Sequence, residues 1–294
     1  MEQLVVYIVL GVLGLCMGSF AGATVWRLRA RQLAEDKADG EKVDGKEYKK
    51  LIPLTKASPL QDRSRCLRCG HTLTWYDLLP LVSWLSTGGK CRYCKEKIGV
   101  FEPLIELGVA TFFVGSYILW PTAFTEGADI ALFALWLIAG VLLAILFAYD
   151  SKWFLLPNKV MFPLMAVAAV AAFLQIVTSS DAVGVLINIL LASFILSGLY
   201  LVLWAASKGQ WVGFGDVKLG LALALLLADW QLAFIALFAA NFIGCLVVIP
   251  GMLSGKLTRR TRVPFGPLLI LGGVVAFLFG GPITEWYMTT LMGI

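Results

Sequence analysis

The chain has 294 residues, 59% of them hydrophobic and 15% charged, with 24 Lys and Arg against 19 Asp and Glu and a formal net charge of +5. A mean hydropathy of +0.83 excludes an ordinary soluble domain, in which about 25% of residues are charged. A single histidine leaves little room for Ser-His or His-metal hydrolysis, and with no His-Glu-x-x-His, Gly-x-Ser-x-Gly or phosphate-cradling glycine loop present, any hydrolysis falls to carboxylates.

Apolar runs able to cross, or nearly cross, a hydrocarbon core lie at 4–25, 103–121, 130–149, 160–178, 182–206, 231–251 and 264–283. A further run, 219–228, offers only about 15 Å of helix against a core of about 30 Å. Either it crosses with help from its flanks, or 231–251 folds back as a hairpin. The expectation is an all-α polytopic membrane protein of about eight transmembrane helices with a small zinc-binding cytosolic loop domain. Residues 1–26 form the first transmembrane helix. Residues 27–100 form a cytosolic loop with a flexible insertion (32–60) and a tetracysteine zinc subdomain (66–94), and 101–294 form a membrane-embedded core.

The first run lacks a basic stretch before it and is followed by Arg27, Arg29 and Arg31, so it reads as an anchor rather than a cleavable signal peptide. All 24 Lys and Arg fall in the blocks 27–97, 152–159, 208–218 and 256–262. The positive-inside rule places every block on the cytoplasmic side, with both termini and the turn at Asp229-Trp230 outside. Arg259, Arg260 and Arg262 mark the inner leaflet, and ten Trp residues fit interfacial belts.

The loop 27–97 carries 16 basic and nine acidic residues, a balance that suits an anionic lipid leaflet; the partner expected for it is the bilayer, not nucleic acid. Its stretch 35–50 is nearly all Glu, Asp, Lys and Gly and reads as a solvated linker. Cys66-x-x-Cys69 and Cys91-x-x-Cys94, separated by 21 residues, have the spacing of a four-thiolate zinc site, closed and therefore structural. Disulfides compete with this reading, but a cytosolic face keeps thiols reduced. His71 reads as an ordinary loop residue, and Cys16 and Cys245 as small core residues.

Glu102 and Glu106 stand four apart at the entrance of the second span, on one helix face. They are candidates to receive a basic substrate residue, with hydrogen bonding to the cysteine loop as the alternative. Asp150 closes the run 130–149. Asp216, in Gly213-Phe214-Gly215-Asp216-Val217-Lys218, stands before another apolar run at the same depth. Asp216 reads either as the N-cap of a helix starting at Val217 or, with Asp150, as a carboxylate pair sharing one proton. Gly215 lets a substrate strand approach or makes a turn, and Lys218 is placed to hold lipid phosphate.

In order along the chain stand Gly18-Ser19-Phe20, Arg27-Leu28, the Cys66 to Cys94 pattern, Pro80 with Ser83-Trp84, Pro103-x-x-Glu106, Asp150 with Pro157-Asn158, Gly213-x-Gly215-Asp216-x-Lys218, and Pro264-Phe265-Gly266-Pro267. In this combination the chain resembles the type IV prepilin peptidases, over nearly all its length outside 32–60. The resemblance implies a membrane aspartic peptidase of the Gly-x-Gly-Asp group in the bacterial inner membrane, with Asp150 and Asp216 catalytic on the cytoplasmic side. Glu102, Glu106, Gly213, Gly215 and Lys218 are candidates for the substrate side. It implies prepilin or pseudopilin substrates cut after a glycine, and a second activity that methylates the new N-terminal residue with S-adenosylmethionine. Where the family usually carries Asn in Ser-Phe-Leu-Asn, this chain has Ser19-Phe20-Ala21-Gly22. No glycine-rich nucleotide pattern locates the cofactor. The alternatives are a peptidase alone with structural zinc, and a transporter whose Asp150 and Asp216 bind a proton or cation; no internal repeat supports the latter.

Overall fold

The computed structural model describes residues 1–55, 63–255, 258, 261 and 263–292. Lys256, Arg259, Arg260, Arg262 and residues 56–60 of the expected insertion lie outside the described residues. Among those described, seven helices are long and apolar enough to cross a membrane, and no strand occurs. Helices follow from the solvent: in hydrocarbon every backbone N–H and C=O must bond within its own segment. The chain divides into two compact units, Met1–Gly115 and Ser116–Ile294.

In the first unit, α1 (Glu2–Ala38) runs 37 residues, well past its apolar stretch. Its Ala30 and Leu33 are buried with Leu51 of α2 (Gly45–Leu51) and Leu54 of the following 3-10 turn, with Trp26, Val43 and Tyr48 packed around them. Asp44 caps α2 by accepting from the Lys46 N–H at 2.8 Å, and Arg29 meets Glu47 at 2.7 Å. The expected linker over 35–50 is corrected accordingly: most of it belongs to helices. The polar run itself holds almost no apolar residues, but those flanking it on both sides form the cluster. Further on come α3 (Val82–Ser86) and α4 (Phe101–Ile118). α1 and α4 touch backbone to backbone, since a Cβ on Gly14 would lie 2.6 Å from Ala110 Cα and one on Gly18 2.5 Å from Glu106 Cα. Small residues four apart allow this close a crossing.

The second unit contains α5 (Gly127–Trp153), α6 (Asn158–Thr178), α7 (Ala182–Ser193), a π segment (Phe194–Gly198) running into α8 (Leu199–Ser207), α9 (Phe214–Leu227), α10 (Trp230–Leu253) and α11 (Phe265–Tyr287). The short run is α9, whose 14 residues give about 21 Å of helix. Leu219, Ala222 and Ala224 on it are fully enclosed, and α6, α7, α8, α10 and α11 pack around it. Surrounded by protein, α9 is not required to match the lipid thickness. α10 is continuous over 24 residues, so 231–251 is not a hairpin. Ala228 ends α9 in the left-handed region, and Asp229 then caps α10 by accepting from the Gln231 and Leu232 N–H groups at 2.7 and 3.0 Å.

Cys16 and Cys245 are exposed on their helices, which corrects their reading as core residues. In a bilayer protein an apolar run supplies both the core face and the lipid face, so hydropathy does not separate them.

Candidate active site

The N-terminus of α9 is built by Gly213 and Asp216 together. Gly213 is the N-cap, extended at φ −75°, and the helix opens at Phe214 rather than Val217. Asp216 is the third helical residue, and its Oδ2 accepts from the Gly213 N–H at 3.2 Å. One carboxylate oxygen thus caps the helix from within, leaving the other for chemistry.

Asp150 lies in the last turn of α5, which ends when Phe154 turns left-handed and donates its N–H to the Asp150 carbonyl at 2.9 Å. The Asp150 side chain is 5% exposed, and its Oδ2 accepts from the Gly266 N–H at 3.1 Å. That donor belongs to the first turn of α11, where backbone N–H groups have no helical partner and carry the positive end of the dipole. A Cβ at position 266 would lie 2.7 Å from Asp150 Oδ2, so the close contact requires glycine. The charge of Asp150 acts on Asp216, so the two carboxylates, 66 residues apart in the chain, are electrostatic neighbours. Leu156 lies between their supporting loops, because a Cβ on Gly215 would stand 3.0 Å from Leu156 Cβ and one on Gly266 would stand 3.3 Å from Leu156 Cδ2.

Lys218 has a partner within the protein. Its Nζ donates to Asn158 Oδ1 at 2.8 Å and stands over the Phe162 and Phe214 rings at 5.3 and 5.2 Å. The bond joins the start of α6, just after the Asp150 turn, to the start of α9. Gly213 is exposed, and Gly215 leaves space that Leu156 fills.

In the first unit, the Sγ atoms of Cys66, Cys69, Cys91 and Cys94 all lie within 4.8 Å of one another, and Cys66 and Cys94 are 3.9 Å apart. Four thiolates about 2.3 Å from a tetrahedral zinc ion would stand about 3.8 Å from each other, so the donor set fits that metal. Two copies of one knuckle hold them. In the first, the Cys66 N–H bonds to the His71 carbonyl and the Gly70 N–H to the Cys66 carbonyl, each at 2.9 Å; in the second, Cys91 pairs with Glu96 at 2.8 Å and Lys95 with Cys91 at 2.9 Å. His71 lies outside the cluster, with its ring centroid 3.6 Å from that of Tyr93.

Asp77, not singled out from the sequence, braces the second knuckle. It accepts from Thr74 Oγ1 at 2.7 Å, Arg92 Nε at 3.0 Å and the Tyr93 hydroxyl at 3.0 Å. Burial raises its carboxyl, but the bonds from Thr74, Arg92 and Tyr93 outweigh this and hold it at about 2, against 3.8. The Thr74-x-x-Asp77 spacing, a capping pattern, was the available signal. Glu106, 7% exposed, accepts from the Leu81 N–H at 2.8 Å and bonds to Ser19. Leu81 has φ +55°, a strained backbone for a non-glycine residue, and the carboxylate helps to fix it. Glu102 accepts from Trp26 Nε1 at 2.9 Å. Gly22, at the position where Asn was expected, is buried, and a Cβ there would stand 3.9 Å from Ile105 Cδ1.

Residues 12–120 match the model of the bacterial peptidase A24 N-terminal domain, and residues 137–249 that of the type IV leader peptidase family. The prepilin leader peptidase/N-methyltransferase of Pseudomonas aeruginosa is 30% identical over 284 residues, covering 94% of this chain and 91% of that protein. The chain belongs to the type IV leader peptidase family. The prepilin leader peptidase/N-methyltransferase of Bacillus subtilis is 31% identical, over 82% of this chain and 91% of that protein. The type 4 prepilin-like proteins leader peptide-processing enzyme of Escherichia coli is 32% identical, over 89% of each. No solved structure matches the chain. Membership and the seven apolar helices make it a multi-pass membrane protein. Among the family's signatures, Pro264-Phe265-Gly266-Pro267 acquires a specific task, which is to present the Gly266 N–H to Asp150.

Proposed function

We propose that the chain is a prepilin peptidase that removes the leader of type IV prepilins or pseudopilins after a glycine, on the cytoplasmic side of the inner membrane, by aspartic catalysis. The observation that carries this is that the turns bearing Asp150 and Asp216, at the ends of α5 and α9, meet across Leu156, with Gly266 donating to Asp150. The pair holds one proton between two carboxylates, because two like charges at close range cannot both ionise cheaply. The ionised partner takes a proton from water as the oxygen adds to the scissile carbonyl carbon, and the protonated partner gives its proton to the carbonyl oxygen. When the tetrahedral diol collapses, the C–N bond breaks, the amine nitrogen leaves with a proton and the carboxylates regain their single shared proton.

The single basic-residue distribution supports the cytoplasmic placement. Lys218 and Asn158 hold the two aspartate-bearing turns together, exposed Gly213 keeps the approach to Asp216 open to a substrate strand, and Gly215 makes room for Leu156. Glu102 is our candidate for a basic leader residue. Glu106, enclosed and bonded to Leu81, serves instead as the anchor of the loop. The four cysteines hold zinc, which would fold the knuckles without taking part in hydrolysis.

A second activity is proposed from the names of the relatives: the new N-terminal amine takes a methyl group from S-adenosylmethionine, releasing S-adenosylhomocysteine and a proton. The test is purified full-length protein in detergent with a prepilin carrying its leader. Wild type should cleave, and Asp150→Asn and Asp216→Asn should each lose cleavage. Retained cleavage by both variants sinks the dyad. With S-adenosylmethionine added, the mature product should gain one methyl group in mass, and an unchanged mass removes the second activity.

A further inference from the structure

We propose that Tyr200 is a third catalytic group, whose hydroxyl donates a hydrogen bond to the oxygen of the scissile carbonyl as that carbon becomes tetrahedral. The proposal rests on the peptidase reading above.

Tyr200 is 4% exposed, and its hydroxyl, buried, has no hydrogen-bond partner among the described residues. Buried polar groups are nearly always paired, and an orphan calls for an explanation such as a functional role. A phenylalanine would fill the same space without leaving a phenol unsatisfied.

The position of the hydroxyl follows from how α8 runs against α9. A Cβ on Gly220 would stand 2.6 Å from the Leu196 carbonyl oxygen, Ser197 Oγ donates to the Val217 carbonyl at 3.0 Å, and the Trp204 and Phe214 rings are 5.1 Å apart. The two segments are therefore antiparallel, and Tyr200 falls between the Ser197–Val217 and Trp204–Phe214 contacts, at the level of Asp216. The charge of Asp216 acts on it. On its other side the Tyr200 ring lies 5.2 Å from that of Phe265, the neighbour of the Gly266 that donates to Asp150. Tyr200 thus stands between the helix carrying one aspartate and the turn that orients the other.

The π segment Phe194–Gly198 runs directly into Leu199, so a single residue separates it from Tyr200. An extra residue in a helical turn rotates everything after it, and such bulges concentrate at functional sites. Tyr200 and Trp204 stand three and seven residues after Ser197, the spacing of one helix face, so Tyr200 shares the side that meets α9. One carboxylate gives its proton to the carbonyl oxygen, and a phenol beside it adds a second donor to the same oxygen while charge grows there. A fixed phenol in a water-poor site supplies that without reorganisation.

The experiment compares wild type, Tyr200→Phe, Asp150→Asn and Asp216→Asn as full-length proteins in detergent with a leader-bearing prepilin. Tyr200→Phe should lower kcat by about 100- to 1000-fold, the usual cost of one oxyanion donor. KM should stay within about twofold, because the contact forms in the transition state. Its Tm should be unchanged or higher, because the lost hydroxyl was unpaired in the free protein. A kcat within about threefold of wild type overturns the proposal, and so does a kcat loss matched by a lower Tm, which would mean that Tyr200 acts through packing. If wild type cleaves, both aspartate variants are dead and Tyr200→Phe is normal, the peptidase reading stands and this one falls; if wild type does not cleave, both fall.

Discussion

At position 266 an added Cβ would lie 2.7 Å from Asp150 Oδ2 and 3.3 Å from Leu156 Cδ2, closer than side chains tolerate. The backbone of α11 cannot retreat freely, because a Cβ on Gly272, two turns on, would already stand 2.8 Å from the Ala240 N. Asp150 must therefore give way. Gly266→Ala should cut cleavage by about 100-fold, the order expected when a catalytic group is displaced by about 1 Å, while helix content by circular dichroism stays at the wild-type level. Gly108→Ala, whose new methyl meets nothing within 4 Å, should cleave normally. A normal Gly266→Ala enzyme would mean that the hydrogen bond to Asp150 does not position it for catalysis. This contact was not legible beforehand. A helix start exposes its N–H groups in any sequence, and Pro264-x-Gly266-Pro267 does not say which carboxylate will meet them.

Among the elements, the long helices could be read because a bilayer admits one solution to the backbone hydrogen-bond problem. Their ends were less legible. α1 continues to Ala38 because apolar residues outside the polar run pack against it, and α9 starts three residues before Val217 because Gly213 and Asp216 cap it jointly. The π segment left no mark in hydropathy and could not be foreseen. The cysteine pairs were legible from spacing alone, and the two knuckles they form differ at one informative place. The residue after the second cysteine is left-handed in each, Gly70 at φ +73° and Lys95 at φ +60°. A lysine there carries a cost of about 1–2 kcal/mol that glycine avoids. Lys95→Gly should accordingly slow zinc release to a chromogenic chelator by about fivefold, the equivalent of about 1 kcal/mol, and Gly70→Ala should hasten it by a similar factor. If Lys95→Gly releases zinc faster, the lysine side chain contributes more through its contacts than its backbone costs.

For the whole molecule the open question is whether so short a helix as α9 carries the chain across. The charges demand that it does, since Lys218 lies near its start, Asp229 follows it and every basic block otherwise stays on one side. The fold supplies the missing length at the far end. A cavity of about 550 Å³ is lined there by Leu226, Leu227, Asp229, Gln231, Trp120 and Glu285, so polar groups continue where the helix stops. An α9 that spans the protein-enclosed depth would leave the remainder to the cavity, and a 14-residue helix would then cross without thinning the lipid. Single cysteines introduced at Trp230, Glu285 and Lys208 test this with a membrane-impermeant maleimide on intact cells. Trp230→Cys and Glu285→Cys should label, while Lys208→Cys should label only after the cells are opened. The native thiols do not interfere in intact cells, since Cys16 and Cys245 lie in apolar helices and the four loop cysteines share the side of Lys208. Labelling at neither 230 nor 285 would leave the end of α9 inside and put the basic block 256–262 outside, an arrangement that the charge distribution forbids. Labelling at 208 in intact cells would invert the protein and put Asp150 and Asp216 at the outer face, away from any cytoplasmic leader.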